Sequence, residues 1–244
     1  MTRFNNSLCF FKFLIKVKII VFVTVFFKKY FINWILKTSN VFLLFVTLVF
    51  LHGCMHVGNG VLEVDDTPPD LNYLPVLIPF LLGGHGSAIP ITDTISITSA
   101  HVARYDYSTV IAYHPVCDVA LIEANNRNKN KLKMGVIYSG ESLINYGYEF
   151  NGEIVKGEGV YIMDVMIEEY PGCHYSLNTA PQKSGMSGGP AVNSSGELVG
   201  VIHGIGFEPP ILLGTHEQVN LERYSYFVSI NFIRDWLDIH IVSK

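Results

Sequence analysis

The sequence predicts an all-β fold closed by one short helix, and three observations support this prediction. Short runs rich in Val, Ile, Leu and Tyr recur from residue 74 to residue 228. Gly, Pro, Asn and Asp separate these runs, as is usual in antiparallel sandwiches and barrels. Near the end of the chain, Ile230, Ile233, Trp236 and Leu237 follow helical spacing. This pattern alone does not distinguish a β-sandwich binding module from a pair of barrels.

The predicted strands are short and follow one another closely. They fall at Leu74–Leu82, Ile95–Ser99, Thr109–Tyr113, Val119–Glu123, Gly159–Met166, Leu198–Ile202 and Tyr224–Val228. The predicted helix begins near Ser229 or Asn231, because either side chain can cap a first turn.

The 244 residues divide into two parts of different composition. Residues 1–53 contain seven basic residues, no Asp or Glu, and 11 of the 16 Phe. Residues 54–244 therefore carry 10 basic and 21 acidic residues, a net charge of −11. The first part has a targeting or membrane composition, and the second has that of a soluble globular domain rather than a polytopic membrane protein. The acidity of the second part argues against a nucleic-acid partner, because it repels phosphate.

The N-terminal part contains two apolar runs, at residues 10–27 and 41–51. The second run is short for a transmembrane helix but suits the hydrophobic region of a signal peptide. It ends at Leu51-His52-Gly53-Cys54, which resembles the bacterial lipobox, so we expect a lipid anchor at Cys54. A chance cysteine at the end of a signal peptide is the alternative. The first run is expected to be either an additional transmembrane helix or part of a stretch, residues 1–35, that lies upstream of a true start at Leu36.

These features predict three segments and a location. Residues 1–53 would target the chain, residues 54–72 would form a lipid-anchored tether, and residues 73–244 would form the working domain. The expected location is the cell envelope, facing the periplasm or exterior, with the outer membrane favoured if the source is Gram-negative. Secretion is the alternative.

A glycine-rich hexapeptide, Gly185–Pro190, is the most informative pattern in the domain. A nucleophilic serine needs a tight, exposed turn and backbone N–H groups directed at the oxyanion that forms after attack. The glycines around Ser187 allow such a turn. His101 ends one strand run and Asp118 precedes another, and they would supply a general base and the acid that orients it. Each residue alone is ordinary, but the order His, Asp, Ser indicates a catalytic triad.

With these motifs in this order, the chain from about Leu74 to Leu237 resembles the trypsin-like (chymotrypsin-fold) serine peptidases. The resemblance rests on Gly86-Ser87-Ala88, Ser99-Ala100-His101, Asp118-Val119-Ala120-Leu121, Ser187-Gly188-Gly189-Pro190 and Leu198-Val199-Gly200-Val201. It implies two packed antiparallel six-stranded β-barrels, with the site in the cleft between them and a short C-terminal helix.

The resemblance also implies roles for individual residues. His101, Asp118 and Ser187 would be catalytic, and the N–H groups of Gly185 and Ser187 would form the oxyanion hole. Neither a cofactor nor a metal is expected, and the expected partners are protein or peptide substrates.

Several departures from the family pattern qualify these expectations. Only 17 positions separate His101 from Asp118, so a hairpin of the first barrel is expected to be trimmed. Met186 replaces the Asp that digestive members pair with a newly cut N-terminus, which makes that form of activation unexpected. Cys117 and Cys173 can pair in an oxidising compartment, but two buried thiols are the favoured alternative.

Substrate specificity depends on two weaker expectations. Pro181 falls where trypsins place an acid at the floor of the specificity pocket, so a preference for Lys or Arg is disfavoured. His203 lies near the pocket strand, where it would receive a substrate carboxylate or, equally, brace Asp118 or the strand.

The predicted function is therefore a serine endopeptidase tethered to the bacterial envelope. The alternative is a non-catalytic envelope lipoprotein that uses the same fold to bind peptides or partners. A quality-control protease with an appended peptide-binding domain is disfavoured, because the chain ends at Lys244 just after the closing helix.

Overall fold

The computed structural model describes residues 57–77, 83–167, 170–211 and 215–242. The predicted targeting segment 1–53, the alternative start at Leu36 and the predicted lipidation site Cys54 lie outside the described residues. No helix within the described ranges has the length and apolar character needed to cross a membrane.

The chain forms twelve strands and two short helices within these ranges. The strands are β1 (Glu63–Val64), β2 (Asn72–Val76), β3 (Gly84–Pro90), β4 (Ile95–Thr98), β5 (Val110–Tyr113), β6 (Ala120–Glu123), β7 (Ser142–Tyr148), β8 (Ile154–Met166), β9 (His174–Asn178), β10 (Pro190–Asn193), β11 (Leu198–Gly206) and β12 (Tyr224–Ser229). The helices are α1 (Ala100–Ala103) and α2 (Arg234–Val242).

The strands form two antiparallel sheets, and the predicted all-β fold class is confirmed. The first sheet has the order β2-β3-β4-β6-β5. The second has the order β1-β8-β7-β10-β11-β12-β9, and an additional β8–β9 pairing closes six of its strands into a barrel. The first sheet contains five strands within the described ranges, one fewer than the six expected for each barrel.

Strand β4 shows why these residues form a strand that is buried on both faces. Its four residues are all buried, with the apolar Ile95 and Ile97 alternating with the hydroxyl residues Ser96 and Thr98. The two isoleucines join the main core, where each fully buried side chain contributes about 1.5–3 kcal/mol. The hydroxyl of Thr98 instead donates to the carbonyl oxygen of Ser87 on β3 (2.7 Å), so its polar atom is satisfied.

The C-terminal helix begins at Arg234, later than the predicted start near Ser229 or Asn231. Residues 230–233 form a turn in which the N–H of Phe232 donates to the carbonyl oxygen of Ser229 (3.2 Å). Ile230 and Ile233 are nevertheless fully buried. The helical spacing of apolar residues therefore covers a turn and the helix that follows it.

The predicted tether is in part a structured element of the domain. Within residues 54–72, β1 pairs with β8, and the residues before β1 contact the loop that precedes Ser187. Residues 57–65 of this segment are therefore attached to the second barrel rather than free.

Candidate active site

His101 lies on the one-turn helix α1, which follows β4 directly. The other three residues of this turn, Ala100, Val102 and Ala103, are buried against the first sheet. Burial of these apolar neighbours leaves His101 on the outer side of the turn, with 40% of its side chain exposed. The sequence alone indicated the end of a strand at this point, whereas the structure adds a helical turn that directs the imidazole away from the core.

Asp118 lies in the short loop between β5 and β6 and contacts His101 twice. The backbone N–H of His101 donates to Asp118 Oδ1 (2.8 Å), and His101 Nδ1 lies 2.6 Å from Asp118 Oδ2. Only 2% of the Asp118 side chain is exposed. The carboxylate therefore fixes the imidazole through Nδ1 and leaves the opposite ring nitrogen, Nε2, for other partners.

His114 stabilises the loop that carries Asp118. His114 Nδ1 accepts hydrogen bonds from the N–H groups of Val116 (3.3 Å) and Cys117 (2.9 Å). Burial lowers the pKa of His114, which favours the neutral ring that this acceptor role requires. Its ring also contacts Trp236 of α2, with the ring centroids 5.1 Å apart, so the closing helix supports the loop.

A disulfide joins this loop to the segment before β9. Cys117 and Cys173 are bonded, with their Cα atoms 5.1 Å apart, so the favoured expectation of two thiols was wrong. Sequence spacing gave no indication that residues 56 positions apart would meet. A cross-link of that separation stabilises a fold by about 4 kcal/mol through the entropy of the unfolded chain. It connects the loop of Asp118 in the first sheet to the second barrel.

Asp118 accepts a third hydrogen bond, from the second histidine, His203. His203 Nδ1 lies 2.7 Å from Asp118 Oδ2, the oxygen that His101 Nδ1 also contacts. Burial raises the pKa of Asp118, but the hydrogen bonds from His101 and His203 outweigh this effect and hold it well below its usual value. Asp118 therefore remains a carboxylate at neutral pH.

His203 lies at an irregularity in β11, where the pairing with β12 shifts register between Ile202 and Gly204. His203 is therefore the unpaired residue of a β-bulge in this strand. The ring of His203 packs against Tyr170 and Tyr175, with centroid distances of 5.4 and 4.7 Å. These contacts favour the bracing role that the sequence left open, since the Nδ1 atom is directed at Asp118.

Ser187 occupies a tight turn that only glycine can form at two positions. Gly185 and Gly188 have φ angles of +100° and +83°, which disfavour residues with a Cβ atom. A Cβ atom on Gly185 would lie 1.9 Å from Nε2 of His85, and one on Gly188 would lie 2.1 Å from the carbonyl oxygen of Ser87. The glycines predicted to shape this turn are therefore required by both conformation and space.

The two predicted oxyanion donors lie in this turn. Within the described part of the chain, the N–H groups of Gly185 and Ser187 have no protein acceptor. The Ser187 hydroxyl donates to the carbonyl oxygen of His203 (3.2 Å). Ser187 and Asp118 are thus both bonded to His203, whose ring also meets that of His101 at a centroid distance of 5.8 Å.

Ser87 of β3 connects the first sheet to this turn, and the sequence did not assign it a role. Its N–H donates to the carbonyl oxygen of Ser187 (2.8 Å), and its hydroxyl donates to that of Gly185 (3.0 Å). The same hydroxyl accepts from the N–H of Tyr148 (2.9 Å). The only sequence signal for Ser87 was its place in the Gly86-Ser87-Ala88 motif. Its hydrogen-bond partners could not be found from the sequence, because they are about 60 and 100 positions away.

Pro181, expected at the floor of the specificity pocket, is buried in the loop before the turn. A Cβ atom on Gly157 of β8 would lie 2.1 Å from the carbonyl oxygen of Pro181, so the loop packs closely on the barrel wall. These contacts give Pro181 a packing role, and its part in substrate selection stays a prediction.

One group of side chains in the described residues has the composition of a metal site. His101, Asp118 and His203 offer ligand atoms that all lie within 4.8 Å of one another. Both Nδ1 atoms already contact Asp118 Oδ2 at hydrogen-bond distance, so the group is satisfied without an ion.

Comparison with solved structures identifies the architecture. The HtrA-type protease AlgW, solved with a tripeptide, aligns with 72% of this chain and 62% of its own, at 15% identity and a TM-score of 0.55. The active form of Rv3671c protease from M. tuberculosis aligns with 70% of this chain and 81% of its own, at 17% identity and a TM-score of 0.54. The fold is chymotrypsin-like.

The similarity is one of fold. A variant of AlgW is matched over only 60% of its length, at 15% identity and a TM-score of 0.54. No protein-family model matches the sequence, and no curated protein matches it. On this chymotrypsin-like fold, the three residues singled out by sequence motifs all contact His203. Its ring contacts Asp118 and His101, and its carbonyl oxygen accepts from Ser187.

Proposed function

We propose that the chain is a serine endopeptidase that hydrolyses peptide bonds through an acyl-enzyme. One arrangement carries this proposal: His203 bonds both to Asp118 of the His101–Asp118 pair and to Ser187, whose turn holds two N–H groups with no acceptor among the described residues. Two supporting facts are the chymotrypsin-like fold and the peptide in the matched AlgW structure.

In this proposal the Ser187 hydroxyl leaves the His203 carbonyl oxygen and turns toward His101 as a substrate binds. His101 Nε2 takes the hydroxyl proton as Ser187 Oγ attacks the scissile carbonyl carbon, and it then delivers a proton to the leaving amine. The N–H groups of Gly185 and Ser187 stabilise the oxyanion, each contributing about 3–4 kcal/mol. Water then hydrolyses the acyl-enzyme by the same steps.

Asp118 orients the imidazole and stabilises its protonated form. Because two histidines and a backbone N–H donate to this buried carboxylate, it stays ionised and holds His101 Nδ1–H in place. His203 does not contact the substrate in this scheme and acts through Asp118.

The catalytic proposal can be tested with the full chain purified in detergent. We expect it to cleave casein and to react with a fluorophosphonate probe, and Ser187→Ala should abolish both. Ser194→Ala, at an exposed serine in the turn after β10, is the matched control and should behave like the wild type. A wild-type chain that neither cleaves nor labels would instead favour the non-catalytic peptide-binding alternative.

We further propose that the enzyme is anchored by lipid at Cys54 and faces the periplasm or exterior of a bacterial cell. The Leu51–Cys54 motif and the basic, apolar residues before it support this proposal. Metabolic labelling with an alkyne fatty acid should mark the wild-type protein and not Cys54→Ser. Equal labelling of the two proteins would show that Cys54 is not the lipid acceptor.

A further inference from the structure

Residues 57–65, which we call the docking segment, lie along the loop that leads to Ser187. The carbonyl oxygen of Val57 accepts from the N–H of Ser184 (2.8 Å). The N–H of Asn59 donates to the carbonyl oxygen of Gln182 (3.1 Å), and a β-bridge joins Gly58 to Lys183. The docking segment thus extends the second barrel by pairing with the residues just before Gly185.

Asn59 connects this loop to a second element, strand β12. Its Oδ1 accepts from the N–H of Gln182 (2.8 Å). Its Nδ2 donates to the carbonyl oxygen of Tyr224 (3.2 Å) and to Ser225 Oγ (2.9 Å). One amide side chain therefore satisfies groups on both sides of the docking segment, which is more than a solvated linker residue would do.

The docking segment also contacts the residue beside the nucleophile. Leu62 packs on a small apolar cluster formed by Val155, Met186 and Ile202. Met186 is fully buried, and it immediately precedes Ser187. The cluster packs against the turn through Met186. On the side of the first sheet, the hydroxyl of Ser87 donates to the carbonyl oxygen of Gly185.

These contacts act on the backbone that carries the oxyanion donors. The loop from Gln182 to Ser187 supplies both N–H groups, and their useful direction depends on the peptide planes of that loop. The docking segment reaches this loop through backbone pairing and through the apolar contact of Leu62 with Met186.

We propose that the docking segment is an intrachain positioning element that holds residues 182–187 in the conformation that forms the oxyanion hole, with Asn59 as its principal contact. The inference rests on the proposed peptidase function for its kinetic consequence. Its structural consequence, protection of the 182–188 backbone, does not depend on catalysis.

The test compares Asn59→Ala with Val61→Ala in the full chain. Val61 belongs to the same segment but is 82% exposed, so its truncation is the matched control. Hydrogen exchange followed by mass spectrometry should show faster exchange at residues 182–188 in Asn59→Ala, with residues 84–98 unchanged. Loss of an oxyanion donor costs about 10²–10³-fold in kcat, so loosening the loop should lower kcat about tenfold with little change in KM.

Wild-type exchange at residues 182–188 in Asn59→Ala would overturn the inference, whether or not the chain proves to be a peptidase. Faster exchange at residues 84–98 as well would indicate general destabilisation and would also count against it. Leu62→Ala provides a second variant and should give the same local pattern. If the wild type fails to label with the fluorophosphonate, the proposed function fails, and the exchange data still decide whether the segment positions the loop.

Discussion

The two sheets prepare different parts of the proposed chemistry, and they depend on different kinds of contact. The first sheet assembles His101 and Asp118 from positions only 17 apart, through one helical turn and one short loop. The second presents Ser187 on a turn held by Ser87 and the docking segment, from about 100 and 127 positions away. The base–acid pair is therefore encoded locally, whereas the nucleophile turn requires the completed fold.

Two connections bring these parts into one site. The Cys117–Cys173 disulfide ties the loop of Asp118 to the second barrel. His203 spans the same gap, because its ring contacts Asp118 while its carbonyl oxygen accepts from Ser187. Substitutions in the local pair should therefore lower kcat more than substitutions in these connections.

The largest effect should come from Asp118→Asn, which changes the local pair itself. An amide at this position would offer N–H in place of an oxygen that accepts from two imidazoles, so His101 would lose its orienting acceptor. We expect kcat on a peptide substrate to fall by about 10⁴-fold. Asp164→Asn, whose carboxylate accepts from Ser176 on neighbouring β9, is the control. Undiminished kcat in Asp118→Asn would remove Asp118 from the mechanism.

A smaller effect is expected from His203→Gln, which weakens a connection and leaves the pair intact. A hydrogen bond to a charged group contributes about 1.5–3 kcal/mol, so kcat should fall by about 10–100-fold while KM changes little. His174→Gln, at an exposed histidine on β9, is the matched control. A raised KM for substrates with Glu at the cleaved position, with kcat preserved, would place His203 in the specificity pocket instead.

The same contrast explains what the sequence could predict. His101, Asp118 and Ser187 stand in short motifs, and most strands with apolar runs were found, so the fold class could be predicted. Five of the described strands lie outside the predicted runs: β3 and β7, whose apolar pattern is interrupted by Gly, Ser and Asn, and the short strands β1, β9 and β10. Asn59 was missed for a different reason, since a polar residue in a polar lead-in gives no signal until its partners on β12 are known.

The smallest expected effect concerns stability, and it is present at neutral pH and lost on acidification. The pKa of Asp118 is lower in the folded chain than in the unfolded chain, so its contribution is complete above the unfolded value and declines as pH falls below it. The unfolded value is about 3.9, so wild type and Asp118→Asn should differ by a constant amount above about pH 5 and converge at lower pH. Urea denaturation at a series of pH values measures this difference. A difference that instead grew as the pH was lowered would mean that the pKa of Asp118 is raised by its burial rather than lowered by its two histidines.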